Sequence, residues 1–194
     1  MRLGVLGGSF NPPHVGHLLI AGDAHEALGL DRLLIVPAAA NPLKASDANV
    51  PTASQRLEMV RRAFADDPRF EVSSMEIERG GLSYTVDTLE ALSEQHEGAE
   101  LLLLLGMDSL RTLERWKRPE RIRELATLAV LTRGDDSETL PEGVEHVTTR
   151  RVDVSSSEIR ARLAAGKSIK GFVAESVERY ISAAKLYASP GSSV

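Results

Sequence analysis

The chain has 194 residues, 42% hydrophobic and 26% charged, with no cysteine and a net charge of −5 from 23 basic and 28 acidic residues. That length predicts one domain, able to bury roughly 70% of the surface its unfolded chain exposes. The counts exclude a disulfide scaffold, a thiol nucleophile and a thiolate metal site, and argue against disorder and against sequence-nonspecific nucleic-acid binding, which wants a basic footprint. The longest apolar runs, Leu33–Val36 and Leu101–Leu105, fall far short of the ~20 residues a bilayer requires. The N-terminus lacks the apolar stretch of a signal peptide. The expected setting is cytoplasmic, with no membrane and no nucleic acid as partner.

Leu3–Leu6 reads as a first strand ending at Gly7 and Gly8. A helical pattern follows from about His14 to Leu28, with Val15, Leu18, Leu19, Gly22 and Leu28 on one stripe. Leu33–Val36 is a second strand, stopped by Pro37, and a loop rich in Ala, Asn and Pro runs to Val50. Pro51 signals a helix over Thr52 to about Ala65, through Leu57, Val60 and Phe64. Phe70–Ile77 reads as a strand of mixed polarity, broken by Gly80 and Gly81. Thr85 to about Glu94 is helical through Val86, Leu89 and Leu92. Leu101–Leu105 is a buried strand, Leu110–Leu125 carries shorter helical pieces around Pro119, and Thr127–Leu131 is another buried strand. Val144–Val147 is a short strand, and Ser155–Leu163 and Ala174–Leu186 are helices. Residues 135–143 are the most loop-like interior stretch, and residues 189–194 a frayed tail.

Short apolar runs alternating with amphipathic stretches predict an α/β fold: a doubly wound, Rossmann-like parallel sheet with a small helical C-terminal part from about residue 155. The domain spans residues 1–188. In such sheets ligands sit beyond the carboxyl ends of the strands, at a topological switch point. Gly7–His17, Pro37–Lys44, Gly106–Asp108 and Arg133 all fall there.

The most informative segment is Gly7-Gly8-Ser9-Phe10-Asn11-Pro12-Pro13-His14-Val15-Gly16-His17. Glycines let the backbone approach a ligand closely, and a helix N-terminus suits phosphate. Neither common phosphate fingerprint, G-x-G-x-x-G or G-x-x-x-x-G-K-[ST], is present. The spacing of His14 and His17 puts both imidazoles on one side of a helix start. Imidazoles can donate to phosphate oxygens, and protonated ones can neutralise developing charge. A histidine pair without function, or a zinc site still lacking a third ligand, are the competing explanations. Ser155–Ser157 read as a helix N-cap. Trp116, the only tryptophan, reads as a core residue or a stacking platform. His25, His96 and His146 read as surface residues.

Residues Gly8–His17 resemble the first signature of the nucleotidyltransferase α/β phosphodiesterase superfamily, and Val154–Arg160 is similar to its second, I-S-S-T-x-I-R. Ser83–Leu89 matches the S-Y-T-x-D-T-L segment of bacterial nicotinate-mononucleotide adenylyltransferases. Gly106-Met107-Asp108, Trp116 and Arg133 match further positions of that family, in the right order. The resemblance implies transfer of AMP from ATP to nicotinate mononucleotide, giving deamido-NAD and pyrophosphate, with Mg²⁺ bound mainly through the ATP phosphates and no protein metal ligand. It implies catalytic roles for His14, His17 and Arg160. It implies ATP contacts from Gly7, Gly8, Ser9, Phe10, His14, His17, Lys44, Gly106, Asp108, Ser156, Ser157 and Arg160. It implies mononucleotide contacts from Asn11, Lys44, Tyr84, Thr85, Trp116 and Arg133.

Three positions, Asn11, Asn41 and Leu43, depart from the family pattern. Asn11 stands where Asp is usual, and Asn41-Pro42-Leu43-Lys44 replaces P-P-H-K. Alternatives are an adenylyltransferase preferring the amide mononucleotide or phosphopantetheine, and a non-catalytic nucleotide sensor. The sequence says nothing of oligomeric state. The acidic excess lies along Asp66–Glu100, so a local basic cleft is compatible with the negative total.

Overall fold

The computed structural model describes residues 1–40, 51–133 and 141–187, Arg133 by its backbone alone. Six parallel strands form one sheet in the order β3-β2-β1-β4-β5-β6. They are β1 (Arg2–Gly8), β2 (Arg32–Pro37), β3 (Phe70–Val72), β4 (Glu100–Gly106), β5 (Thr127–Arg133) and β6 (Val144–Thr149). The helices are α1 (Val15–Leu28), α2 (Ala53–Phe64), α3 (Met75–Arg79), α4 (Thr85–Gln95), α5 (Met107–Thr112), α6 (Pro119–Leu125), α7 (Ser156–Ala164) and α8 (Glu175–Ala183).

The five consecutive leucines of β4 show why the runs read as buried strands. Successive strand side chains point to opposite faces. Leu101, Leu103 and Leu105 join Leu3, Val5, Leu34 and Val36 in a core under Val86, Leu89 and Leu92 of α4. Leu102 and Leu104 join Leu33 and Ile35 in a second core, under Ala21, Ala24 and Leu28 of α1 and Val60 and Phe64 of α2. Both faces are covered, so both must be apolar.

Three expectations need correction. The predicted strand Phe70–Ile77 ends at Val72, and Met75–Arg79 is a helix. Glu76 there is buried and accepts from Thr88 Oγ1 at 2.6 Å, while Arg79 donates to the same hydroxyl at 3.0 Å. That polar contact with α4 overrides the alternation of the stretch. The buried stripe of α1 is not the predicted one: Gly16, Ala21, Ala24 and Leu28 are buried, whereas Leu19 is exposed. The small residues Ala21 and Ala24, with Leu28, form the face that packs into the second core. His25 is half-buried rather than fully on the surface; its ring lies edge-on to Phe70 at 6.4 Å, with a buried Nε2.

The C-terminal helices build a third, smaller core. Ile159, Ile169, Val173, Val177 and Ile181 pack with Met59 of α2. Ser176 Oγ donates to the Arg62 carbonyl at 2.9 Å. Through α2, this cluster is anchored beside the carboxyl ends of β1 and β2.

Candidate active site

Strand order reverses between β1 and β4, which creates a crevice at their carboxyl ends. Gly7 is the penultimate residue of β1 and Gly106 the last of β4; both are exposed, and a Cβ at either would meet open space. The backbone there is accessible to a flat ligand from both sides of the switch point.

The loop from Ser9 to Pro13 leads into α1. Phe10 takes a left-handed backbone, φ 43°, and its side chain is buried in the second core. A Cβ on Gly8 would stand 3.0 Å from the buried Phe10 ring, so any side chain there would have to displace that ring by a few tenths of an ångström. Only the main chain of Phe10 can meet a nucleotide.

His14 caps α1 from an extended backbone. Its N–H donates to Nδ1 of His17 at 3.1 Å, and the two rings lie 3.8 Å apart between centroids. A Cβ on Gly16 would fall 2.9 Å from His14 Nδ1, so this helical glycine makes room for the imidazole. Burial first, and His14 second, push the His17 pKa down to about 3. His17 is therefore neutral near pH 7. Because its Nδ1 accepts, the network assigns the proton to Nε2. Of the two roles open to an imidazole here, His17 fits that of a neutral N–H donor rather than a cation. The open helix N-terminus is also partly closed: the Val15 N–H donates to the Phe172 carbonyl at 2.9 Å.

Helix α7 meets the same loop from the other side. Ser155 caps it, accepting from the Glu158 N–H at 3.1 Å. Ser156 Oγ donates to the Pro12 carbonyl at 2.8 Å. Arg160 donates to the Asn11 carbonyl at 2.8 Å and to Ser157 Oγ at 3.2 Å. The N–H groups of Ser156 and Ser157 have no partner among the described residues. The Asn11 side chain accepts from Tyr187 Oη at 2.6 Å.

Asp108 stands in the first turn of α5, after the cap residue Gly106, with a fully exposed side chain 3.2 Å from Arg111. It is not the N-cap. Tyr84 caps α4 by position, and Thr85 opens it. Ser83 ties this segment to the end of β2: its Oγ accepts from the Ala39 N–H at 2.9 Å, and its N–H donates to the Ala40 carbonyl at 2.9 Å. Trp116 is half-buried against the first core, and its indole N–H has no partner among the described residues. Lys117, next in the chain, sits 4.6 Å above the Tyr84 ring and pairs with Asp87 at 2.9 Å. That contact draws the Trp116 segment to the start of α4. Lys44, Asn41, Leu43 and the side chain of Arg133 lie outside the described residues.

Sequence reading missed Arg56. Its guanidinium is buried, donates to the Ser9 carbonyl at 3.0 Å and the Ala39 carbonyl at 2.7 Å, and has no carboxylate partner among the described residues. It bridges the loops after β1 and β2. The available signal was an arginine one helical turn before Val60, on the apolar stripe of α2. Tyr187 was missed as well, and no local pattern marked it.

Residues 5–162 match the cytidylyltransferase-like family model. The chain is 49% identical to the "probable nicotinate-nucleotide adenylyltransferase" of Gemmatimonas aurantiaca, over 96% of this chain and 92% of that one. It is 45% identical to the protein of the same name from Thermus thermophilus, over 96% and 100% of the two. The fold is similar to that of the Plasmodium falciparum nicotinic acid mononucleotide adenylyltransferase complexed with NaAD, with TM-score 0.79 at 17% identity, covering 96% and 97% of the two chains. Likeness of this order, carried along nearly the whole chain, makes the protein a member of the nicotinate-nucleotide adenylyltransferase family.

Proposed function

We propose that this chain transfers AMP from ATP to the phosphate of nicotinate mononucleotide, forming deamido-NAD and pyrophosphate. The observation that carries the proposal is the closely packed His14–His17 pair at the strand-order reversal, with Arg160 clamped on the same loop.

A phosphate oxygen of the mononucleotide attacks the α-phosphorus of ATP. One P–O bond forms there, the bond to the bridging oxygen breaks, and its electron pair leaves with pyrophosphate. The nucleophile is already an anion, so no general base is required; positioning and charge stabilisation remain. A neutral His17 suits this, since it donates from Nε2 and need not exchange a proton. His14 and Arg160 supply further donors, Arg160 with a permanent charge. The start of α7, with Ser156 and Ser157, cradles the β- and γ-phosphates, where orphan N–H groups and the helix dipole favour an anion. Gly7, Gly8, Ser9 and Gly106 admit the nucleotide, and Asp108 accepts from ribose hydroxyls. Tyr84, Thr85, Trp116 and Arg133 form the mononucleotide side, with Asn11 and Lys44 near its phosphate.

Mg²⁺ arrives as part of the substrate, Mg·ATP, and offsets charge on the leaving pyrophosphate. Among the described residues no group of three His, Cys, Asp or Glu side chains could hold a metal. Phosphate oxygens and water suit Mg²⁺ without such a set. No helix among the described residues is long and apolar enough to cross a membrane.

The test is pyrophosphate release from Mg·ATP with nicotinate mononucleotide, its amide or phosphopantetheine. The highest kcat/KM is expected for the acid, by about tenfold or more over the amide, since each unpaired hydrogen bond costs about 1–3 kcal/mol. Equal or greater activity with another acceptor would overturn the substrate assignment. No release with any of the three would leave a nucleotide sensor.

A further inference from the structure

Four side chains from distant parts of the chain converge on the short loop Ser9–Pro12. Arg56 takes the Ser9 carbonyl, Arg160 the Asn11 carbonyl and Ser156 the Pro12 carbonyl. The fourth, Tyr187, reaches a side chain of the loop rather than its backbone: its hydroxyl donates to Asn11 Oδ1 at 2.6 Å, across 176 residues of sequence.

Two features mark this contact as more than surface packing. Tyr187 and Lys185 both hold left-handed backbones, φ 62° and 49°, which non-glycine residues adopt only where surroundings enforce it. The phenol also lies within electrostatic reach of two cations, Arg160 and Arg56. Burial raises its pKa, against the opposing pull of Arg160 and Arg56, so it stays protonated and able to donate at working pH.

The route from Asn11 to the histidines is short and stiff. Pro12 and Pro13 separate Asn11 from His14, and each ring locks φ and removes a backbone donor. A shift of Asn11 has little slack to dissipate in before it reaches the His14 cap, and His17 is hydrogen-bonded to that cap.

We propose that Tyr187 is a positioning residue for the transfer reaction, acting through Asn11 to set the placement of His14 and His17. It touches no reacting atom. The kinetic part of this inference rests on the AMP-transfer assignment; the geometric part does not.

The test is Tyr187→Phe, which removes one oxygen and keeps the ring. We expect kcat to fall about tenfold, in line with a sub-ångström misplacement of catalytic groups, with KM for both substrates and Tm nearly unchanged. In an Asn11→Ala background the same substitution should change nothing further, because the hydroxyl has lost its acceptor. Imidazole NMR signals of His14 and His17 should move in Tyr187→Phe while those of His96 stay. This last readout is independent of the reaction, so it separates failure of the positioning role from failure of the functional assignment. Unmoved His14 and His17 signals would overturn the proposal. So would an equal kcat loss in the Asn11→Ala background, or a loss matched by unfolding.

Discussion

The backbone N–H of His14 donates to Nδ1 of His17 at 3.1 Å, so one histidine's position in the helix cap determines the other's tautomer. His17 is thereby a capping acceptor on one edge and an N–H donor on the other. His17→Ala should lower kcat by at least ~10²-fold, as for removal of an oxyanion-type donor. The lost cap should cost only about 1 kcal/mol of stability. Pyrophosphate release alongside a thermal melt checks both. A variant that keeps its activity would remove His17 from the chemistry.

The same histidine makes stability depend on acid. Its folded pKa is about 3 against 6.5 unperturbed, so between these values the unfolded chain binds more protons than the folded one. The stability due to neutral His17 is complete above about pH 6.5 and is lost as pH falls towards 3, with a slope approaching ~1.4 kcal/mol per pH unit. Urea unfolding at pH 7 and pH 4.5 should show this loss, and His17→Gln should reduce it. An unchanged slope in that variant would place the acid sensitivity elsewhere.

Gly7 and Gly16 lie in one loop–helix segment but should respond oppositely to alanine. At Gly7 the added methyl points into open space, so Gly7→Ala should fold normally and raise KM for ATP about tenfold if a nucleotide approaches there. At Gly16 the methyl meets His14 at 2.9 Å. Gly16→Ala should therefore reduce kcat with little change in KM, although alanine is the better helix former by ~1 kcal/mol. Steady-state kinetics on both variants separates the two effects.

Arg56 holds two carbonyls on separate loops with one planar fork. Lysine carries the charge but cannot span both acceptors. Arg56→Lys should lower Tm by roughly 2–8 °C, as an unsatisfied, partly buried carbonyl costing about 1–2 kcal/mol would. Calorimetry reads this directly, and an unchanged Tm would mean that the bridge contributes nothing.

Trp116 packs on the core yet stays partly exposed beside the Tyr84–Lys117 contact. Trp116→Ala should raise KM for the mononucleotide about three- to tenfold, the range of one aromatic stack, and leave KM for ATP nearly unchanged. Quenching of the sole tryptophan by the mononucleotide in the unmodified protein gives an independent check. Equal losses for both substrates would reduce Trp116 to a core residue.

Much of this protein is legible in its sequence because the relevant signals are local. Apolar runs such as Leu101–Leu105 must be buried on both faces wherever they fall, so they predict a covered parallel sheet without knowledge of strand order. The segment from Gly7 to His17 carries its own turn, prolines and helix start, so the histidine pair can be placed from spacing alone. What remained hidden depends on partners far away in the chain. Arg56 faces inward because two loop carbonyls await it, Met75–Arg79 is helical because Glu76 finds Thr88, and Tyr187 reaches Asn11 only once α8 has packed on α2. The charge state of His17 belongs to the same class. A free imidazole near pH 6.5 becomes a neutral donor only through burial, and burial is decided by the tertiary structure.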